Sequence, residues 1–203
     1  MPLINSNVLM SDADNFSTLA AINPYYQPAQ LDLQAAKAEH NSIQEFMKRA
    51  GIVVTKVPSP GGCQDGVYTA NWALIRGSTA ILARLPDARR AEEAYAEKVL
   101  EGLGKTVITV PDGLKFSGQG DALACGDYLF CGSTYRSDVA AQAFAADKLG
   151  YQRIQLRTIP QLDGNGAEVI NAVSGWADSF FYDIDLALAI IKAPGTGTKG
   201  LIA

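Results

Sequence analysis

An α/β fold built from repeated strand–strand–helix–strand units is what this 203-residue sequence predicts. Two observations carry that prediction. Three times a helix-like stretch ends at a glycine and the apolar run after it closes on a proline: Gly51 to Pro58, Gly104 to Pro111 and Gly150 to Pro160. The closing prolines lie 53 and then 49 residues apart, a period that marks stacked supersecondary units, none of which buries its apolar face alone. Between the helices, residues 67–83 and 121–132 read as paired strands around turns at Arg76-Gly77-Ser78 and Gly126-Asp127.

Residues 7–10 form the first expected strand, followed by a polar loop through Asn15 and a turn at Asn23-Pro24. Over residues 31–50, Leu33, Ala36, His40, Ile43, Met47 and Ala50 recur at spacings of three and four. That is one face of a helix, and Gly51 supplies its stop. A second helix is expected over 88–103, with Ala91, Tyr95, Val99 and Leu103 on one stripe. A third runs from Ser137-Asp138, both N-capping types, to Gly150. Residues 161–176 are rich in Gly and Asn and read as an excursion from the core. A fourth unit begins near Phe181. The expected units are 1–60, 61–113, 114–162 and 177–203 of a single domain, with the chain stopping inside the fourth.

Lys+Arg 17 against Asp+Glu 21 leaves a net charge of −4 with both signs mixed along the chain. No basic stripe or polybasic tail is present, so neither nucleic acid nor an anionic membrane is an expected partner. The N-terminus lacks a charged segment followed by an apolar one, and no apolar run approaches the ~20 residues a spanning helix needs. Three cysteines, Cys63, Cys125 and Cys131, show no Cys-x-x-Cys spacing. A reduced cytoplasmic setting without a zinc site is the expectation.

Two glycine-rich stretches fail as nucleotide loops on context. Residues 195–200, Gly-Thr-Gly-Thr-Lys-Gly, place Gly200 where a phosphate loop needs Ser or Thr, and an apolar strand follows instead of a helix. Gly118-Gln119-Gly120 precedes a strand, whereas a pyrophosphate-binding turn opens a helix. The single histidine, His40, sits on the apolar face of the first helix and reads as a packed imidazole.

Polar residues recur at the start of each unit: Cys63, Gln64, Asp65 and Asn71; Ser117, Gln119 and Asp121, with Arg136 after the strand pair; and Asp183 with Asp185 inside the otherwise apolar run 180–191. If that run is a strand, Asp183 and Asp185 face one side. They then share a cation, or raise one pKa by like-charge repulsion. Each carboxylate alone reads equally as a turn cap or an arginine partner. Repeats meeting around an axis would bring these positions together.

Six ordered segments carry a family resemblance: Asn7-Val8-Leu9-Met10-Ser11, Ala21-Ile22-Asn23-Pro24, Asp65 to Trp72, Gly118-Gln119-Gly120-Asp121-Ala122, Gly132 to Asp138, and Phe181-Tyr182-Asp183-Ile184-Asp185. Together they resemble the amidinotransferase and dimethylarginine dimethylaminohydrolase branch of the guanidine-modifying, or pentein, superfamily. The resemblance implies a five-bladed α/β-propeller around a polar channel, of which this chain supplies about three and a half units. It also implies attack by a cysteine thiolate on a guanidinium carbon, with no cofactor and no metal, and a small guanidino or ureido amino-acid-like ligand. Carboxylates hold the planar cation through paired hydrogen bonds, and an acid–base group serves the leaving amine.

Carried over residue by residue, Asp65 and Asn71 stand at positions for guanidinium or amino-group ligands, and Arg89 and Arg136 at those that grip a substrate carboxylate. Asp185 matches the aspartate of the family's His-x-Asp segment. Two departures concern the chemistry. Ser117 occupies the family's glutamate position, and Asp183 the position of its catalytic histidine. The nucleophilic cysteine belongs to a fifth unit, so the chain as given is expected to be inactive. Cys125 and Cys131 read as apolar fillers, and only Cys63 is expected to reach solvent. The alternative is a non-catalytic pentein that binds a small ligand or a protein partner.

Overall fold

The computed structural model describes residues 5–22, 31–133, 135–179, 181–192 and 201–202. A first layer pairs β1 (Asn7–Ser11) in parallel with β2 (Val53–Val57), connected through α1 (Leu33–Arg49). Next come β3 (Ala73–Arg76), β4 (Thr79–Leu82), α2 (Ala91–Gly102) and β5 (Thr106–Thr109). The following set is β6 (Ala122–Cys125), β7 (Tyr128–Ser133), α3 (Val139–Leu149) and β8 (Gln152–Arg157). Both three-stranded sheets have the same plan, an antiparallel hairpin whose second strand then takes a parallel partner. Further along, β9 (Ile190–Lys192) pairs antiparallel with β10 (Leu201–Ile202). The expected turn at Asn23-Pro24 and the glycine-rich stretch over 195–200 lie outside the described residues.

The glycines that punctuate the sequence do one job three times. Gly51, Gly104 and Gly150 have φ of 84°, 74° and 68°, the left-handed region that a side chain disfavours. The residue after each donates back to the helix: Ile52 N–H to Met47 O at 3.0 Å, Lys105 to Leu100 at 3.0 Å and Tyr151 to Ala146 at 2.8 Å. This is one capping motif that satisfies the last carbonyls and turns the chain into the closing strand. At its other end α1 is capped by Asp32, which accepts the N–H groups of Gln34 and Ala35. Asp138 begins α3 but spends its carboxylate on the Lys115 N–H at 2.7 Å, fastening helix to loop instead of capping.

Strands β3 and β4 are covered on both faces, so they read as short, nearly continuous apolar runs. Ala73, Ala80 and Leu82 pack with Trp72 against Ala96 and Leu100 of α2. Leu74 and Ile81 face the other way, onto Phe116, Leu129 and the small side chains Ala141 and Ala145 of α3. Helix α1 is different, with none of its residues fully buried. Leu33, Ala36, His40 and Met47 are half-buried along the expected stripe, while Ile43 is exposed. A two-stranded sheet offers the helix only a narrow surface to cover.

Three 3₁₀ turns precede inner strands: Thr69–Asn71 before β3, Gly118–Gly120 before β6 and Ile184–Leu186 before β9. The middle turn packs on both others. A Cβ on Gly118 would stand 2.8 Å from the Ala70 carbonyl, and one on Gly120 would stand 2.3 Å from Asn71 Nδ2 and 3.0 Å from Asp183 Oδ2. Glycine here is a condition of contact between turns, not of nucleotide binding. The third turn corrects the strand expected across Asp183 and Asp185. Asp121 Oδ1 captures the Ile184 N–H at 3.1 Å, and the Ile184 carbonyl accepts from Ala187 and Leu188, which curls the chain before any ladder forms. The two carboxylates therefore diverge, Asp183 inward and Asp185 outward.

The excursion over 161–176 is tied by isolated bridges, Leu162 to Glu168 and Ile170 to Ala177. Asp163 closes a turn by accepting the N–H groups of Asn165 and Ala167. Among the described residues no helix is long and apolar enough to cross a membrane.

Candidate functional site

Where the 3₁₀ turns meet, a cavity of about 520 Å³ opens toward β1 and α1, within the range of small-molecule sites. Asp65, Asn71, Arg89, Arg136, Asp183 and Asp185 all line it. Six of the seven positions singled out in the sequence thus share one wall system. Ser117, the seventh, is buried behind Asn71.

Asn71 is the hub. Its Nδ2 donates to Ser117 Oγ at 2.9 Å, to the Ser117 carbonyl at 3.1 Å and to Asp183 Oδ2 at 2.9 Å. Its Oδ1 accepts from Arg89 Nη1 at 2.8 Å. A neutral amide is suited to this place because it donates and accepts at once. Arg89 in turn forks onto Glu92, Nε to Oε1 at 2.8 Å and Nη2 to Oε2 at 2.7 Å, and reaches the Asp65 carbonyl at 3.2 Å. The Asp65 carboxylate lies 3.9 Å from Arg89 Nε. Burial works against the Arg89 charge, but the Glu92 fork outweighs it, aided by Asp65 and Asp183, and its pKa is raised above the ordinary value. Arg89 is therefore turned inward, organising Asn71 and Asp65.

Arg136 is the contrasting cation. It is 4% exposed, its Nη2 donates to the Ile22 carbonyl at 2.9 Å, and its guanidinium lies 4.4 Å from the centre of the Tyr182 ring. Among the described residues no carboxylate stands at ion-pairing distance from it. Opposite in charge, Asp183 is 3% exposed, and its Oδ1 has no hydrogen-bond partner among the described residues. Asp185, an exposed residue, lines both this cavity and a second one of about 550 Å³ that also borders Val8, Leu9, Thr69 and Ala70. Although the residue reaches solvent, the protein around its carboxyl desolvates it in part, and this, with the Asp183 charge, pushes it up to about 7. His40 reaches the cavity edge from α1 with burial lowering its pKa. Among the described residues no three His, Cys, Asp or Glu side chains gather as metal ligands.

The profile of the family described as N,N dimethylarginine dimethylhydrolase, eukaryotic, matches residues 12–169. The chain belongs to this dimethylarginine dimethylhydrolase family. It is 30% identical over 179 residues to the N(G),N(G)-dimethylarginine dimethylaminohydrolase of Mycobacterium tuberculosis, covering 87% of this chain and 52% of that one. It is 31% identical over 158 residues to AgrE, a bifunctional arginine dihydrolase/ornithine cyclodeaminase of a Nostoc species, covering 75% of this chain and 22% of that one. The chain thus spans about half of the first relative and about a fifth of the second. Among solved structures, the product-bound N-terminal domain of ArgZ, a cyanobacterial arginine dihydrolase, superposes with a TM-score of 0.76 at 27% identity. That alignment covers 89% of this chain and 61% of the other. The α/β fold is the one these relatives share.

Within this family member all three cysteines are buried. That corrects the expectation for Cys63, whose loop folds back over Asp65 and leaves it 6% exposed. Burial, with Glu92 close by, raises the Cys63 pKa; burial alone raises that of Cys125, and burial, opposed by Arg153, pushes Cys131 up to about 12. None is poised as a thiolate. The sequence reading missed Glu92, which is 1% exposed, holds Arg89 and accepts the Trp72 indole N–H at 3.2 Å. Its signal was the Arg-x-x-Glu spacing at the start of a helix, one turn apart.

Proposed function

We propose that this cavity binds an arginine-like amino acid, guanidino or ureido, with its carboxylate on Arg136 and its planar head toward Asp65, Asp183 and Asp185. One observation carries the reading: among the described residues, a buried arginine with no carboxylate at ion-pairing distance and a buried carboxylate with an unpartnered oxygen line the same cavity. A zwitterion with a cationic head is the chemistry complementary to both. The similarity to relatives named for dimethylarginine and arginine hydrolysis supports a guanidine- or amidine-modifying hydrolase. An amidinotransferase, a cytoplasmic setting and a five-unit propeller, of which this chain forms about three and a half units, belong to the same proposal. The residues described supply the grip and no thiolate, so this chain alone is proposed to be inactive.

Calorimetry with arginine, dimethylarginine and citrulline tests the grip. Losing a charge-assisted hydrogen bond of about 1.5–3 kcal/mol weakens binding roughly ten- to a hundredfold, so Arg136→Ala is expected to fall in that range. Arg136→Lys recovers part of the loss, because an ammonium cannot reproduce the planar fork. Arg153→Ala, on β8 and away from the cavity, is expected to bind as the parent does. Equal affinity of Arg136→Ala and the parent would sink the clamp. A second reading, a non-catalytic ligand-binding protein, is favoured by the Asn71 lock: Ser117 and Asp183 hold Asn71 where the family resemblance implied a guanidinium-binding glutamate and a catalytic histidine. Release of a urea- or citrulline-type product by this chain would remove it.

A further inference from the structure

Asp121 lies directly behind the cavity wall. It is 1% exposed, and its Oδ2, like Asp183 Oδ1, is a buried oxygen with no hydrogen-bond partner among the described residues. A single peptide joins the two carboxyls, since Asp121 Oδ1 accepts the N–H of Ile184, the residue after Asp183. Gly132 brings β7 so close that a Cβ there would stand 2.5 Å from Asp121 Oδ1. Among the described residues neither carboxyl has a lysine or arginine at ion-pairing distance. The Arg89 guanidinium acts on Asp183 from further off but is matched by its fork onto Glu92, and Asp185 and Tyr182 also face Asp183. The other groups facing Asp121 are the Ser137 hydroxyl, the Gln142 amide of α3, the Cys131 thiol of β7 and the Asp185 carboxyl, none of them cationic.

Two buried carboxyls side by side do not both ionise without a positive charge to share. A proton meets that need when the cavity is empty, and a guanidinium meets it when one docks. We propose that Asp121 is a positioning residue that stores this proton. It keeps the proton while the cavity is empty or holds a neutral ureido ligand, and yields it to solvent when a guanidinium settles on Asp183. No heavy-atom bond changes; one proton leaves as one cation arrives. Burial first and the Asp183 charge second hold the Asp121 pKa well above the ordinary carboxylate range, and a docked cation cancels the second of these. One cavity can then take either charge form of an arginine-like ligand. The inference rests on the binding reading above.

Infrared spectroscopy in the Asp185→Asn background, which removes the carboxyl held near 7, tests it. The unliganded protein at neutral pH is expected to show a protonated-carboxyl band that adding Asp121→Asn removes. Saturating L-arginine abolishes the band, and saturating L-citrulline leaves it. Arginine affinity rises with pH, by up to about tenfold per unit for one whole proton, and this slope flattens in Asp121→Asn while citrulline affinity stays level throughout. A band missing from the unliganded protein, or one that survives saturation with arginine, overturns the proposal. If arginine fails to bind at all, the clamp itself is wrong, and the unliganded spectrum still decides whether Asp121 holds the proton.

Discussion

Asn71 Nδ2 donates to Asp183 Oδ2 at 2.9 Å across 112 residues of chain. The same amide accepts from Arg89, so a short turn before β3 is tied to a later turn and to the start of α2 through one side chain. Asn71→Ala strands a buried arginine N–H, a buried hydroxyl and a buried carboxylate together. The expected cost is about 2–3 kcal/mol, read as a fall of about 5–10 °C in melting temperature. A variant that melts with the parent would show that the hub contributes no stability.

The Arg89–Glu92 fork predicts non-additive substitutions. Removing either partner leaves a buried charge unmatched, at about 3–5 kcal/mol. Arg89→Met and Glu92→Leu together remove both charges and are expected to cost less than the sum of the two single changes. A denaturant-based double-mutant cycle measures the difference. Simple additivity would mean that the two side chains act independently.

Glycine substitutions sort by contact. Gly120→Ala drives a methyl group into Asn71 and is expected to destabilise by several kcal/mol and to weaken ligand binding. Gly61 has open space around its missing Cβ and an ordinary φ, and so does Gly102 in α2. Gly61→Ala is expected to be close to neutral, and Gly102→Ala to stabilise by about 0.5–1 kcal/mol through lost chain entropy. Urea titrations of the three would expose a wrong packing assignment at once.

Asp185 predicts a pH dependence of definite sign. Its folded pKa of about 7 lies above the ~3.9 of an unfolded aspartate. The folded protein therefore keeps a proton that the unfolded chain has given up. That stabilisation is fully present below the unfolded pKa and is lost as pH rises through about 7. Asp121, also raised, contributes in the same direction. Melting temperature is expected to decline between acid and neutral pH less steeply in Asp185→Asn than in the parent. Identical slopes would place the Asp185 carboxyl in ordinary solvent.

What the sequence made legible was local and periodic. Gly51, Gly104 and Gly150 declared the helix ends because each performs the same backbone task, and the hairpin turns declared themselves by turn chemistry. The grouping of Asp65, Asn71, Arg89, Arg136, Asp183 and Asp185 followed from resemblance, since their contacts span up to about a hundred residues. The 3₁₀ turns left no such trace. Asp183 sits in an apolar run that reads as a strand, and only the Ile184–Asp121 bond, a tertiary event, curls it. Cys63 looked accessible because its loop is polar, whereas burial depends on how Pro60 and Asp65 fold around it. Glu92 looked like any acidic residue in a first helical turn, where it favours the helix dipole, and its real partner was visible only as a spacing.

Trp72, one of two tryptophans in the chain, has its indole N–H on the very carboxylate that holds Arg89, and its ring meets Tyr95 edge-on at 5.6 Å. The protein therefore carries an optical reporter wired to the site. A ligand that tugs on Asn71 is expected to shift Arg89, then Glu92, then the hydrogen bond of a buried indole, read as a change in its emission. Trp176, half-buried beside Lys115 in the excursion, is less enclosed than Trp72, so its emission is expected to lie apart and to report on a different part of the molecule.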